Sequence, residues 1–310
     1  MKVFLKKSAI LAFVVLLFCV GLELLLLTKP NVYSYKRKYI ENHLNDIAVL
    51  FMGNSHIEEA LIPEIMCDSG FNFAISAKPF DIDAELADRY IPHMENLKVV
   101  VMPLSYNYFE FNRLEKKDVM TPKERRWANK TYKCMQRKYL GIRRHGIWYC
   151  SELLNSNENY MNRLKEGKDS REFCDSLGYV RLDVEGRPKD WRERRVPGKL
   201  DPTKEKNIEE YEKLFNAHES VARLCQEKGA RLVLVSAPVY KTYQDAINDV
   251  ILNDIYDTAD SLKSMYPNVE YYNFFFAEGF EDEDFRDAGH LTYSGAIKFS
   301  KMFADSLFSK

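Results

Sequence analysis

The sequence predicts an α/β protein in which a parallel sheet is covered by helices on both faces. Three observations carry that prediction. Five short apolar runs recur along the chain, amphipathic helix-like stretches separate them, and an apolar segment precedes them all. Apolar runs of this length read as strands buried on both faces. Their alternation with helices implies right-handed crossovers between parallel strands.

The first element is the apolar segment. Lys2, Lys6 and Lys7 precede a run from Ser8 to Thr28 that is apolar except for Glu23. About 20 such residues cross a bilayer as a helix. A cleaved signal peptide would have a shorter apolar core and a small-residue cleavage site, and neither is evident. Bulky Phe18 ahead of Cys19 argues against a lipoprotein site, and a buried core helix is the remaining alternative. An uncleaved signal anchor over residues 1–30 is therefore expected, with Glu23 able to reach the interface. A basic, aromatic stalk or juxtamembrane helix over 31–45 follows. Lysines before the run favour a cytoplasmic N-terminus, whereas Lys29, Lys36, Arg37 and Lys38 beyond it oppose that bias. The short tail ahead of the run tips the expectation towards a single-pass protein of the cell membrane. The domain over 46–310 would then be periplasmic or extracellular.

Within that domain the expected strands are Ile47–Met52, Phe71–Ile75, Lys98–Met102, Arg231–Val235 and Val269–Asn273. Helical spacing marks Ile82–Asn96, Glu209–Lys228 (stopped by Gly229), Asn248–Met265 and Ser294–Leu307. An insertion over about 113–204 interrupts the alternation. It carries 24 Lys/Arg against 14 Asp/Glu in a chain whose net charge is −1. It reads either as a solvated insertion or as a substrate-facing lid that attracts an acidic polymer or phospholipid headgroups. Arg192, Arg194 and Arg195 beside Trp191 are its densest basic group. The overall charge argues against nucleic-acid binding. Without CxxC or a Cys/His cluster, no metal site is expected, and no cofactor either. Cys134 and Cys150 could pair if the domain is exported; free buried thiols are the equal alternative.

Ligands of open parallel sheets bind beyond the carboxyl ends of the strands. After the first strand comes Gly53-Asn54-Ser55-His56, a serine on a tight turn just before a helix start. After the fifth strand comes Asp287-Ala288-Gly289-His290, just before the last helix. Each motif alone is weak, since serine at a strand-to-helix turn is more often a cap. Together they supply a nucleophile, a base within reach of it, and an acid behind the base. Ile57, where an α/β-hydrolase elbow would place its second glycine, speaks against that arrangement.

Gly53-Asn54-Ser55-His56 with Asp287-Ala288-Gly289-His290-Leu291 resembles the first and last sequence blocks of the SGNH (GDSL-like) hydrolase superfamily. It is most similar to the branch of membrane-anchored bacterial envelope acyl-transfer proteins, DltD-like and alginate-acetylation-like. The resemblance covers Ile47–Asn107 and Arg231–Leu307, roughly half the chain. It implies a flavodoxin-like three-layer α/β/α sandwich and a catalytic triad of Ser55, Asp287 and His290. It also implies an oxyanion hole, for which Ser55, Ala77 and Asn107 are the candidates. The family's second-block glycine is absent from Asn72–Ala77, leaving Ser76 or Ala77 to donate a backbone N–H. Asn107 follows Pro103-Leu104-Ser105-Tyr106 without the glycine and aspartate that usually flank it.

His56 and Tyr106 are candidate substrate contacts, with core packing the plainer reading of the aromatic run Tyr106, Tyr108, Phe109 and Phe111. The expected activity is that of a serine esterase or O-acyltransferase on acyl esters of cell-envelope glycans. By analogy, a polytopic membrane protein would serve as acyl-donor partner. The rival is a non-catalytic envelope scaffold or glycan-binding protein that keeps the fold.

Overall fold

The computed structural model describes residues 1–27, 32–76, 78, 80–111, 151, 153, 174–198 and 207–308. The chain divides into two compact units: residues 1–37 with 117–173, and residues 38–116 with 174–310. The proposed Cys134–Cys150 pair and most of the insertion lie outside the described residues.

In the first unit, helix α1 (Lys2–Leu27) is 26 residues long, about 39 Å at the usual rise. Most of its large apolar side chains are exposed. It is long and apolar enough to be a membrane anchor or a signal sequence. Its one carboxylate is partnered: Glu23 accepts from the Ser151 hydroxyl at 2.8 Å and the Leu153 N–H at 2.9 Å. Helix α2 (Val32–Asn42) runs across the division between the two units, within the segment expected to be a stalk or juxtamembrane helix.

The second unit is an α/β/α sandwich. Its strands are β1 (Val49–Phe51), β2 (Gly70–Asn72), β3 (Val99–Pro103), β4 (Arg231–Ser236) and β5 (Val269–Asn273). All neighbouring pairs are parallel, in the order β2-β1-β3-β4-β5. This is the flavodoxin-like order, with the switch point between β1 and β3. The helices are α3 (Ser55–Glu58), α4 (Pro63–Met66), α5 (Asp81–Tyr90), α6 (Tyr106–Phe111), α7 (Ile208–Lys228), α8 (Lys241–Asp245), α9 (Asp249–Met265) and α10 (Tyr293–Phe308). Between β5 and α10 lies a small antiparallel hairpin of β6 (Phe285–Asp287) and β7 (His290–Leu291).

Alternation along each strand divides the core between two faces. Val49, Phe51, Val99, Val101, Val233 and Val235 join one cluster with Phe299, Phe303 and Leu307 of α10. The intervening Leu50, Val100, Leu232 and Leu234 are also fully buried, so they face the other side, where α5 packs on α7. Valine-rich strands buried twice over explain why the apolar runs are continuous rather than alternating.

The helix ends follow ordinary capping chemistry. Asn207 and Asn248 cap α7 and α9 by accepting from Glu210 N–H and Val250 N–H. Gly229, at φ +74°, closes α7 in the left-handed conformation that precedes β4. The expected helix from Ile82 to Asn96 ends at Tyr90, because the next residues, Ile91-Pro92-His93, tighten into a 3-10 turn.

Candidate active site

The site begins where β1 ends. Gly53 sits at φ +117°, and a Cβ there would fall 2.2 Å from Pro103 Cδ at the end of β3, so only glycine fits. The turn is tied on both sides. Gly53 N–H donates to Asp83 Oδ1 at 3.0 Å, and its carbonyl accepts from Ile75 N–H at 2.9 Å. Asp83 is also paired with Lys78, and both side chains are almost wholly buried. Asn54 then caps α3, accepting from His56 N–H at 3.0 Å and donating to Ser105 Oγ at 3.1 Å. This leaves Ser55 as the first residue of α3, its hydroxyl at the carboxyl edge of the sheet.

The β6–β7 hairpin supplies the other two groups. Asp287 stands opposite His290 in register, with Ala288-Gly289 as the connecting pair. Asp287 Oδ1 accepts from Gly289 N–H at 3.0 Å and lies 2.7 Å from His290 Nδ1. The opposite ring nitrogen, Nε2, lies 2.9 Å from Ser55 Oγ. With the Nδ1 proton donated to Asp287, Nε2 is free to accept from the serine hydroxyl. Residues 235 apart in sequence therefore form one hydrogen-bonded line.

The electrostatics suit a base. Burial opposes charge on His290, but Glu59 and Asp287 outweigh it and hold its pKa above the usual value. Burial likewise opposes ionisation of Asp287, yet the bond to His290 keeps its carboxyl below the ordinary range. His56 is the contrasting imidazole. Burial, reinforced by His290, pushes it down to about 3, so it is neutral. Its ring lies 5.3 Å from that of His290, and among the described residues its Nδ1 has no hydrogen-bond partner.

Glu59 is a site residue that the sequence reading did not single out. Its Oε2 lies 3.9 Å from His290 Nε2, on the side facing Ser55. Burial pushes its pKa up. Ser76 Oγ sits between the Glu58 and Glu59 carboxylates, 2.8 Å from Glu59 Oε1. The spacing was a usable signal: Glu59 is four residues after Ser55, one helical turn on and on the same face. The Lys78–Asp83 pair had no comparable signal, since nothing in the sequence around either charge marks it as buried.

The remaining candidates are distributed less tightly. Ser55 N–H, at the first helical position, has no intrahelical acceptor and so remains a candidate oxyanion donor. Ser76 N–H does not: it donates to Glu58 Oε2 at 2.6 Å. Ala77 lies outside the described residues. Asn107 is half-buried in the first turn of α6; among the described residues its Oδ1 has no hydrogen-bond partner and no contact joins it to Ser55. Tyr106 is fully buried; its hydroxyl accepts from Asn248 N–H at 3.0 Å and its ring meets the edge of Tyr243.

No protein-family model matches the chain, and no curated protein matches it in sequence. Among solved structures it is similar to one described as a "putative platelet activating factor" from Streptococcus pneumonia. The two share 14% identity and a TM-score of 0.47, over 97% of this chain and 99% of that one.

Proposed function

We propose that the protein is a serine esterase or O-acyltransferase in which Ser55 is the nucleophile, His290 the base and Asp287 the orienting acid. One observation carries the reading: His290 bridges Ser55 Oγ and Asp287 Oδ1 with both contacts below 3 Å. In such a mechanism Ser55 Oγ attacks the acyl carbon while its proton passes to His290 Nε2. The imidazolium, stabilised by Asp287, returns that proton to the departing alkoxide. The acyl-serine then passes to water, or to a sugar hydroxyl if water is excluded. The apolar α1 supports action at a membrane surface. We extend the reading to acyl esters of envelope glycans, with the domain exported and a polytopic membrane protein as acyl donor.

A non-catalytic scaffold is the second reading, and the commitment of Ser76 N–H to Glu58 favours it by removing one oxyanion donor. Mutant kinetics separate the two. On a short acyl ester, Ser55→Ala and His290→Ala should each remove nearly all turnover, and the double variant should be little worse than either. Asp287→Asn should also cost orders of magnitude by leaving the imidazole in the wrong tautomer. Wild-type turnover in Ser55→Ala rejects the nucleophile, and an inert wild type supports the scaffold.

A further inference from the structure

Beside the hydrogen-bonded line stands a positive charge that the acyl-transfer chemistry does not use. The turn from Trp191 to Arg195 is firmly anchored. Trp191 is buried, with the guanidinium groups of Arg187 and Arg192 over its ring at 4.2 and 4.5 Å and Tyr240 against it. Arg192 pairs with Asp282 and donates to the Tyr240 hydroxyl. Arg187 donates to the carbonyls of Asp282 and Phe285. Arg194 lies 3.8 Å from Asp190, and its carbonyl accepts from Ala288 N–H at 3.1 Å inside the Asp287–His290 loop.

Arg195 differs from these neighbours in two independent ways. Its φ is +69°, the only positive φ at a non-glycine among the described residues. Nothing in a Cβ-bearing cation favours that conformation, so the surrounding anchors impose it. Its guanidinium is exposed and makes no ion pair, hydrogen bond or ring contact with any described residue. Its Cβ lies 3.5 Å from where a Cβ on Gly289 would stand. Its charge is near enough to act on His56, Asp287 and His290. Both Asp287 contacts described go to His290 and Gly289 through Oδ1, so Arg195 is not its hydrogen-bonding partner.

We propose that Arg195 forms an anion subsite beside Ser55, and that the ester substrate carries a phosphate or carboxylate on its alcohol portion. A planar guanidinium fork matches both groups in bidentate fashion, and a held backbone reduces the ordering cost of using it. The inference rests on the acyl-transfer reading, since the subsite is defined relative to the reacting ester. A competing role, in which Arg195 merely offsets the charge of Asp287, would affect all esters alike.

The test compares acetate esters of glycerol, glycerate and glycerol 3-phosphate on the full-length protein, with the neutral ester as internal reference. The wild type should favour one or both anionic esters in kcat/KM by about tenfold or more; the preferred one separates a carboxylate site from a phosphate site. Arg195→Gly suits the left-handed backbone, so it should fold with an undiminished Tm and bring the ratio near unity. Arg195→Lys, which keeps the charge but loses the fork, should retain part of the preference. Calorimetric binding of glycerol, glycerate and glycerol 3-phosphate gives a readout independent of turnover. Absence of an anionic preference in both assays, or a preference unchanged in Arg195→Gly, overturns the subsite. Failure of acyl transfer itself shows separately, as a neutral ester whose turnover survives Ser55→Ala or is absent.

Discussion

Glu59 changes what His290 can do, and its effect can be read from pH. A carboxylate 3.9 Å from Nε2 favours the imidazolium, so it raises the pH at which the free base forms. Acyl transfer needs the neutral ring, so kcat/KM should rise with pH through an apparent pKa above the ordinary histidine value. Removing the negative charge removes that upward influence. Glu59→Gln should therefore move the acid limb of the kcat/KM profile to lower pH, while keeping a side chain that can accept from Ser76. An unmoved or upward-shifted limb would show that Glu59 does not act on the base. The convergence of Ser55, Asp287 and His290 was legible in the sequence because the three residues occur at loops that a parallel topology gathers together. Arg195 was visible only as part of a basic group, since its φ has no Gly or Asn signature.

Among the elements, the turn after β1 depends most on a single buried pair. Asp83 both accepts Gly53 N–H and pairs with Lys78, where neither side chain is open to water. Removing one member leaves a buried charge uncompensated, which typically costs about 3–5 kcal/mol. Asp83→Ala should therefore lose stability on that scale in denaturant unfolding, and its residual activity should fall because the serine turn loses an anchor. A change below about 1 kcal/mol would mean that Lys78 reaches water or another acceptor. Elements of this kind explain the limits of sequence reading. The central strands β1, β3 and β4 were legible because double burial makes their apolar runs continuous, whereas the half-buried β5 showed itself by its Val and Tyr residues after a helical stretch. The β6–β7 hairpin was not, because strands of three and two residues are too short to show any period. Asp287-Ala288-Gly289-His290 could thus be read as a turn, though not as a paired register.

At the scale of the whole molecule, the α/β/α unit and the apolar helix pose separate questions. The absence of an evident cleavage site after α1 predicts that the mature chain keeps its N-terminus and sediments with membranes, resisting extraction by salt. A processed N-terminus near residue 28 in fractionated cells would instead make α1 a cleaved signal. Glu23 is consistent with retention, since the hydroxyl of Ser151 and the N–H of Leu153 relieve part of the cost of a carboxylate in an apolar helix. The insertion expected over 113–204 is shared between both units: residues 174–198 belong with the sheet, where they carry the Trp191–Arg195 turn. Its charge was countable in the sequence. Its division was not, because polar segments without periodicity give no sign of what they pack against.

The central claim is that Ser55 becomes acylated, and mass spectrometry of the protein trapped with an activated acyl ester tests it most directly. The account predicts one added acyl group per chain, on the peptide containing Ser55, formed in the wild type and absent from His290→Ala. An adduct on any other residue, or none from a folded wild-type protein that binds the ester, would contradict it.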